Sequence, residues 1–418
     1  MSAPTRVLYL YTGGTIGMVN SPRGYELGVD VAGEIAALLR DSDLAVTFDV
    51  DELERLIDSS NAAPADWQAM IDHIRERSAG YDGVVVLHGT NTLAHSAAAV
   101  SFGLIGPAQP IVFTGSQIPF GVPGTDARTN VLGATRTVMS GPPSVSLFFA
   151  GKLFAGTRAT KVSAVELEGF QSPHTAPLPP SGGENGHPAT TAARKWARPL
   201  PYRAQDIAVI TATPGMTADR FRAATTPAPA AVIFRTYGAG EGPSEEKGLA
   251  EAIEELVAHK VPVVITSQCV QAHIDLHKYA AGEFLHRAGA IGVKDMTFEA
   301  VYAKLTFLLS QGLTGRDVTD WLLTDLVGEL TCATARPGMA AGHANGLCDC
   351  RGGQGRVGSV GCVRTTPVNR QRSSVRFRFV SGARRENDAT TQSVPRSIRR
   401  CASESMAQVL PTPGAAPR

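Results

Sequence analysis

Cysteine is almost absent from the first 331 residues. Of the six in the chain only Cys269 lies there; Cys332, Cys348, Cys350, Cys362 and Cys401 all follow. A lone thiol cannot build a disulfide framework, and the later cysteines lack the C-x2-C spacing of a zinc site, so no metal is expected. Long apolar runs are absent too: none approaches the roughly 18 residues of a membrane-crossing helix, and no membrane contact is expected. Six residues precede the first apolar run, with no basic start and long apolar stretch, so the chain reads as cytoplasmic and without a secretory signal. Nor is there an excess of charge, the net value being +1 over 418 residues. Residues 332–418 nevertheless hold fourteen Arg, no Lys and four acids, a balance of +10 that leaves −9 for residues 1–331. An acidic body gives no reason to expect a nucleic-acid partner.

What is present is an apolar fraction of 43% against 18% charged residues, the balance of a soluble globular protein long enough for two domains. Val7-Leu8-Tyr9-Leu10-Tyr11 reads as a short strand buried on both faces, running into Thr12-Gly13-Gly14-Thr15-Ile16-Gly17. Helical spacing over 28–40 and a strand near 45–50 lead to Asp58-Ser59-Ser60, and Pro64 with Asp66 opens a helix. A second buried strand, 83–87, ends on His88-Gly89-Thr90-Asn91-Thr92; a third, 111–113, ends on Thr114-Gly115-Ser116-Gln117. Helices over 93–105 and 127–139 and a strand over 145–149 continue the alternation. Such alternation predicts an α/β fold, with a helix-covered parallel sheet in an N-terminal domain over residues 1–174. Residues 175–204, rich in Pro, Gly and Thr, read as a linker. Strands at 207–210, 231–234 and 261–265, with helices at 245–259, 279–288, 296–310 and 316–326, predict a smaller C-terminal α/β domain over 205–331. From 332 to 418 the hydrophobic period vanishes and the segment reads as a disordered tail.

Three consecutive strands therefore end in small polar residues, at the edge where open α/β sheets bind ligands. A tight turn and a ligand loop both fit residues 12–17, whereas the G-x-G-x-x-G and G-x-x-x-x-G-K-[ST] phosphate loops do not. Thr-Gly-Gly-Thr-Ile at 12–16, Asp-Ser-Ser at 58–60, His-Gly-Thr-Asn-Thr at 88–92, Thr-Gly-Ser-Gln at 114–117 and Thr-Lys at 160–161 occur in that order. Together with Arg235-Thr236-Tyr237-Gly238 and Asp295-Met296-Thr297, they resemble the L-asparaginase family, most closely its cytoplasmic type I bacterial branch, over residues 5–331.

The resemblance implies hydrolysis of L-asparagine without metal or organic cofactor, by a homodimer or homotetramer. It makes Thr15 the nucleophile that attacks the side-chain amide and Tyr25 the tyrosine that hydrogen-bonds it. It makes Thr90 and Lys161 a second catalytic pair. Buried lysine loses its preference for the charged form and can act as a base. Asp58, Ser59 and Ser60 match the loop that holds the substrate's α-carboxylate and α-ammonium, Ser116 matches a contact to the amide, and His88 is structural. Two positions depart from the pattern. Asn91 stands where the family carries a catalytic and substrate-binding Asp, and Glu241 stands where type I relatives usually carry Asn. A weakened asparaginase, or an asparagine or aspartate sensor using the effector region of type I relatives near Gln268-Cys269, is the alternative. The amidotransferase subunit that supplies ammonia for transfer-RNA-dependent amidation shares the motifs but carries an N-terminal domain, for which six leading residues leave no room.

Overall fold

Seven consecutive buried residues, 7 to 13, have no polar face to offer water, and β1 (Thr5–Gly13) accordingly takes an interior place in a sheet. The structure, a computed structural model, describes residues 4–179 and 189–331. After β1 come a hairpin of β2 (Met18–Ser21) and β3 (Gly24–Leu27), then α1 (Val31–Arg40), β4 (Val46–Ile57), α2 (Pro64–Arg77) and β5 (Gly83–Leu87). The first half continues with α3 (Leu93–Gly103), β6 (Ile111–Thr114), α4 (Ala127–Ser140), β7 (Val145–Phe149), β8 (Lys152–Ala155), β9 (Thr160–Lys161) and β10 (Phe170–Gln171). Its main sheet has the order β4-β1-β5-β6-β7-β8, parallel except for β8. Side chains of α2 and α3 cover one face and those of α1 and α4 the other, each in its own apolar cluster.

The second half runs β11 (Ile207–Thr211), α5 (Ala218–Ala224), β12 (Ala231–Thr236), α6 (Leu249–Ala258), β13 (Val263–Ser267), α7 (Ala280–Arg287), β14 (Ile291–Gly292), α8 (Phe298–Ser310) and α9 (Gly315–Leu322). Its four strands form a parallel sheet in chain order. One face of that sheet, with α8 and α9, joins the cluster that also holds α2 and α3, so a single apolar core runs between the two sheets. Tyr202 belongs to it, its hydroxyl donating to Ala99 O at 2.9 Å and its ring edge-on to Trp67. The described part of the 175–204 segment thus packs its Ala193, Trp196 and Tyr202 into the core. The segment read as a tail lies outside the described residues.

Several boundaries differ from those read in the sequence. The strand expected at 45–50 extends to Ile57 because β4 is an edge strand, where one polar side is solvated and the acids at 49, 51, 52 and 54 no longer break the pattern. The helix expected from 28 starts at Val31, after Asp30 has capped it by accepting from Gly33 N. Short β8 and β14 and the seven-residue α5 escaped the periodicity altogether. Among the described residues no helix is long and apolar enough to cross a membrane.

Buried charges pin the last described residues. Lys304 Nζ, fully buried, donates to Leu322 O, Thr324 O and Glu329 Oε1, and Arg158 Nε donates to Gly328 O at 2.6 Å. Burial, and then the Glu329 charge, push Asp325 from 3.8 up to about 6. An acid whose folded pKa is raised holds its proton more tightly when folded. Its favourable contribution is complete below the unfolded value and is lost as pH rises through 6. Asp325→Asn stays neutral and keeps an acceptor for Gly328 N. It is expected to raise the melting temperature at about pH 8 and to change it little at about pH 4, which melts at the two values would check.

Candidate active site

Parallel pairing sets Tyr11 level with Leu87 and Leu87 level with Thr114, so the loops that follow β1, β5 and β6 leave the sheet side by side. Thr12 Oγ1 donates to Leu87 O at 2.9 Å and Thr114 Oγ1 to Phe148 O at 2.8 Å, tying each tip to its neighbour. Gly14 has φ +90°, and a Cβ there would stand 2.3 Å from Gly89 Cα; one at Gly89 would stand 2.5 Å from Ser59 Oγ. Three loops thus approach so closely at positions 14 and 89 that only glycine fits there. Gly14→Ala combines left-handed strain with overpacking and is expected to cost about 2–5 kcal/mol, read as a lower urea midpoint at unchanged slope.

Thr15 opens a single 3-10 turn (Thr15–Gly17) directly beyond β1 and is half-buried, with no hydrogen bond from its hydroxyl among the described residues. Across the crevice, Asp58 caps a second turn by accepting Ser60 N at 3.0 Å, and Thr92 Oγ1 donates to Ser59 O at 2.7 Å. The centre is a continuous polar chain. Lys161 Nζ donates to Thr90 Oγ1 at 2.9 Å and to Asn91 Oδ1 at 3.1 Å, and Asn91 Nδ2 donates to Ser60 Oγ at 2.8 Å. Thr90 is buried, and its hydroxyl donates to Gln117 Oε1 at 3.3 Å. Burial lowers the pKa of Lys161. No carboxylate among the described residues forms an ion pair with this lysine. Ser116 is fully buried at the third tip, and its Oγ has no partner among the described residues.

Of the residues singled out in the sequence, Thr15, Asp58, Ser59, Ser60, Thr90, Asn91 and Ser116 lie on these converging loops, and Lys161 reaches them from β9. Tyr25 sits on β3 of the hairpin, 52% exposed, and its hydroxyl makes no hydrogen bond to Thr15. Its backbone pairs with Asn20 on β2, and Gly28 N and Val29 N donate to Gly17 O, which ties the hairpin to the turn that Thr15 opens. His88 is structural: its Nδ1–H faces Gly89 O at 2.8 Å, and its Nε2 accepts from Ser96 Oγ at 3.0 Å. Burial lowers its pKa to about 4.

Two neighbours of these side chains went unassigned. Gln117, the last residue of its motif, bridges Thr90 to the loop after Lys161 by donating to Ser163 O and Glu166 O. Glu299, in the first turn of α8, accepts the Thr160 hydroxyl at 2.6 Å and so holds the strand that carries Lys161. Glu241 lies apart from the hydrogen-bonded side chains described above, on a bridge to Tyr237, with Oε2 buried and unpartnered among the described residues. A separate cavity of about 80 Å³ is lined by Thr160, Arg235, Gln268, Cys269 and Phe298. The Arg235 guanidinium rests 4.9 Å from the Phe298 ring, and its Nε is buried without a partner among the described residues. Among the described residues no group of three or more His, Cys, Asp or Glu is placed to hold a metal ion.

The crevice and its motif-bearing loops coincide with two family models: "Asparaginase, N-terminal" matches residues 6–190, and "Glutaminase/Asparaginase C-terminal domain" matches residues 206–322. The chain belongs to the asparaginase family. L-asparaginase 1 of Escherichia coli K12 is 36% identical over 330 residues, covering 77% of this chain and 96% of that protein. The human 60 kDa lysophospholipase is 34% identical over 366 residues, covering 78% of this chain and 61% of that protein. Among solved structures, L-asparaginase I from Vibrio cholerae O1 biovar eltor superposes with a TM-score of 0.71 at 33% identity, covering 79% of this chain and all of that one. As a member of the asparaginase family, the chain places both of its matched regions around one core, and the match ends short of residue 332.

Proposed function

We propose that this asparaginase-family chain hydrolyses L-asparagine to L-aspartate and ammonia through a threonine-linked acyl-enzyme. The observation that carries the reading is the Lys161–Thr90–Asn91–Ser60 hydrogen-bond chain, which spans the loops beside Thr15. Amide hydrolysis needs a nucleophile, a group to take its proton, and donors for the developing oxyanion. Thr15 supplies the hydroxyl. Lys161, moved towards its neutral form by burial, draws a proton through Thr90. Ser59 and Ser60 with Asp58 hold the α-substituents, and Ser116 Oγ, buried and unengaged, meets the amide. The Thr15 oxygen bonds to the carbonyl carbon, ammonia leaves with the proton, and water then cleaves the ester. No metal or organic cofactor enters the scheme.

Asn91 makes this a weakened site, because Lys161 lacks a carboxylate beside it. A second reading, a sensor that binds asparagine or aspartate without turnover, draws on the cavity of Arg235, Gln268 and Cys269 with its orphaned guanidinium nitrogen. We take the working form to be a cytoplasmic dimer or tetramer. The 85% exposed Val165, with Val162 and Leu167 beside Lys161, gives a second copy an apolar surface to cover. An ammonia-release assay with asparagine, glutamine and aspartate, run alongside calorimetry with asparagine, separates the readings. Hydrolysis is expected; tight binding without ammonia would favour the sensor.

A further inference from the structure

We propose that Gln117, the last residue of the Thr-Gly-Ser-Gln motif at 114–117, is a positioning residue of the reaction: it aims the Thr90 hydroxyl hydrogen and ties down the loop that leaves Lys161. The proposal rests on the amidohydrolase reading above, in which a proton passes through Thr90 to Lys161. The root of Gln117 is fixed first. Its backbone N donates to both carboxylate oxygens of the buried Asp126, at 3.1 and 3.0 Å. The residues after Lys161 close on themselves, with Val162 N and Ser163 N donating to Gly169 O. The Gln117 amide enters that closed loop. A Cβ at Gly169 would stand 2.7 Å from Gln117 Nε2, so the glycine leaves the space that the amide fills.

The partners decide which way the amide faces. Ser163 O and Glu166 O, at 3.2 and 3.3 Å, are carbonyls and accept only, so the NH2 end meets them and both its hydrogens are used. Oε1 is thereby turned to Thr90, whose hydroxyl donates to it at 3.3 Å. Thr90 Oγ1 keeps its lone pairs for Lys161 Nζ at 2.9 Å. A neutral lysine has two hydrogens and one lone pair, and the two hydrogens satisfy Thr90 and Asn91. Proton transfer therefore begins when the Thr90 hydrogen swings from Gln117 to that lone pair, one hydrogen bond exchanged for another. Thr90 gives this proton to Lys161 and regains one from the attacking hydroxyl. A long bond to a neutral amide is weak enough to release, yet it holds the hydroxyl in one direction until then. The same side chain keeps the Lys161 loop beside Thr90, so one residue sets both ends of the transfer.

Steady-state kinetics across pH, with a thermal melt of each protein, test this in Gln117→Met, Gln117→Glu and Thr90→Val. Gln117→Met keeps the length of the side chain and removes donors and acceptor together. It is expected to lower kcat for asparagine about tenfold or more while KM stays within about threefold. Gln117→Glu keeps an acceptor for Thr90, but as a carboxylate it favours the charged form of Lys161. The limb of the profile that reports this lysine should then move to higher pH. Once protonated, the acid offers a donor and an acceptor as the amide does, so the variant-to-parent kcat ratio should climb as pH falls. A side chain that only braces the fold would lower the melting temperature without moving the limb, and that result would overturn the inference. So would Gln117→Met at the parent kcat while Thr90→Val loses turnover, which leaves the relay standing without Gln117. Thr90→Val at the parent rate, or no turnover in either the parent or Asn91→Asp, removes the relay and this inference with it.

Discussion

Thr15→Ala is expected to reduce asparagine turnover by at least about 10³-fold while leaving the melting temperature within about a degree of the parent. The loss is large because no other hydroxyl stands directly beyond β1, and a covalent step cannot be shared among neighbours once its nucleophile is gone. The fold should tolerate the change. Thr15 is half-buried, its hydroxyl makes no hydrogen bond among the described residues, and the turn it opens is held by backbone bonds such as Gly17 N to Gly14 O at 3.1 Å. Ammonia release and a thermal melt on the same preparation check both halves. A variant that turns over asparagine at the parent rate would remove Thr15 from the mechanism.

The second large effect runs the other way. Asn91→Asp is expected to raise kcat/KM for asparagine by about 10- to 10³-fold. A carboxylate at 91 would stand within an ion pair of Lys161, in place of the present 3.1 Å contact to an amide oxygen. Leaving one member of a buried charge pair without its partner costs about 3–5 kcal/mol, and restoring the partner recovers part of it. The recovery is partial because Asn91 is exposed and Lys161 half-buried, so water screens the pair. Binding and turnover should improve together, since the charge acts on ground and transition states alike. The new acid also favours the charged form of Lys161, opposing the effect of burial. The limb of the kcat/KM profile that reports this lysine should then move to higher pH. Steady-state kinetics across pH, at matched purity, measure both. Equal values in parent and variant would mean that residue 91 does not act on the substrate.

How far the sequence could be read depended on where each constraint lies. Strands β1, β5 and β6 were legible because a strand buried on both faces must be a continuous apolar run, and their polar tips were legible as interruptions of that run. Edge strand β4 was only half legible, since its solvated side removes the period that marks a strand. The site divides in the same way. Thr15, Thr90 and Ser116 sit at strand ends, where position in the chain fixes position in space. Tyr25 gave no sign of a role beyond the resemblance, because a hairpin's own pairing decides where its side chains go, and here the ring is about half exposed. Glu299 gave no local sign at all. It reaches Thr160 across 139 residues, through the packing of α8 on the first half, and nothing in the neighbourhood of either residue announces the pair.

The central claim is that Thr15 carries the acyl group, and trapping that group tests it most directly. The full-length protein, and Asn91→Asp where turnover is faster, would be mixed with asparagine, quenched in acid within the first turnovers and digested for mass spectrometry. The account predicts a peptide containing Thr15 heavier by one aspartyl group, absent from Thr15→Ala and lost when the reaction is chased with water at neutral pH. An aspartyl adduct on Thr90 instead, or ammonia release with no adduct on any residue, would contradict it.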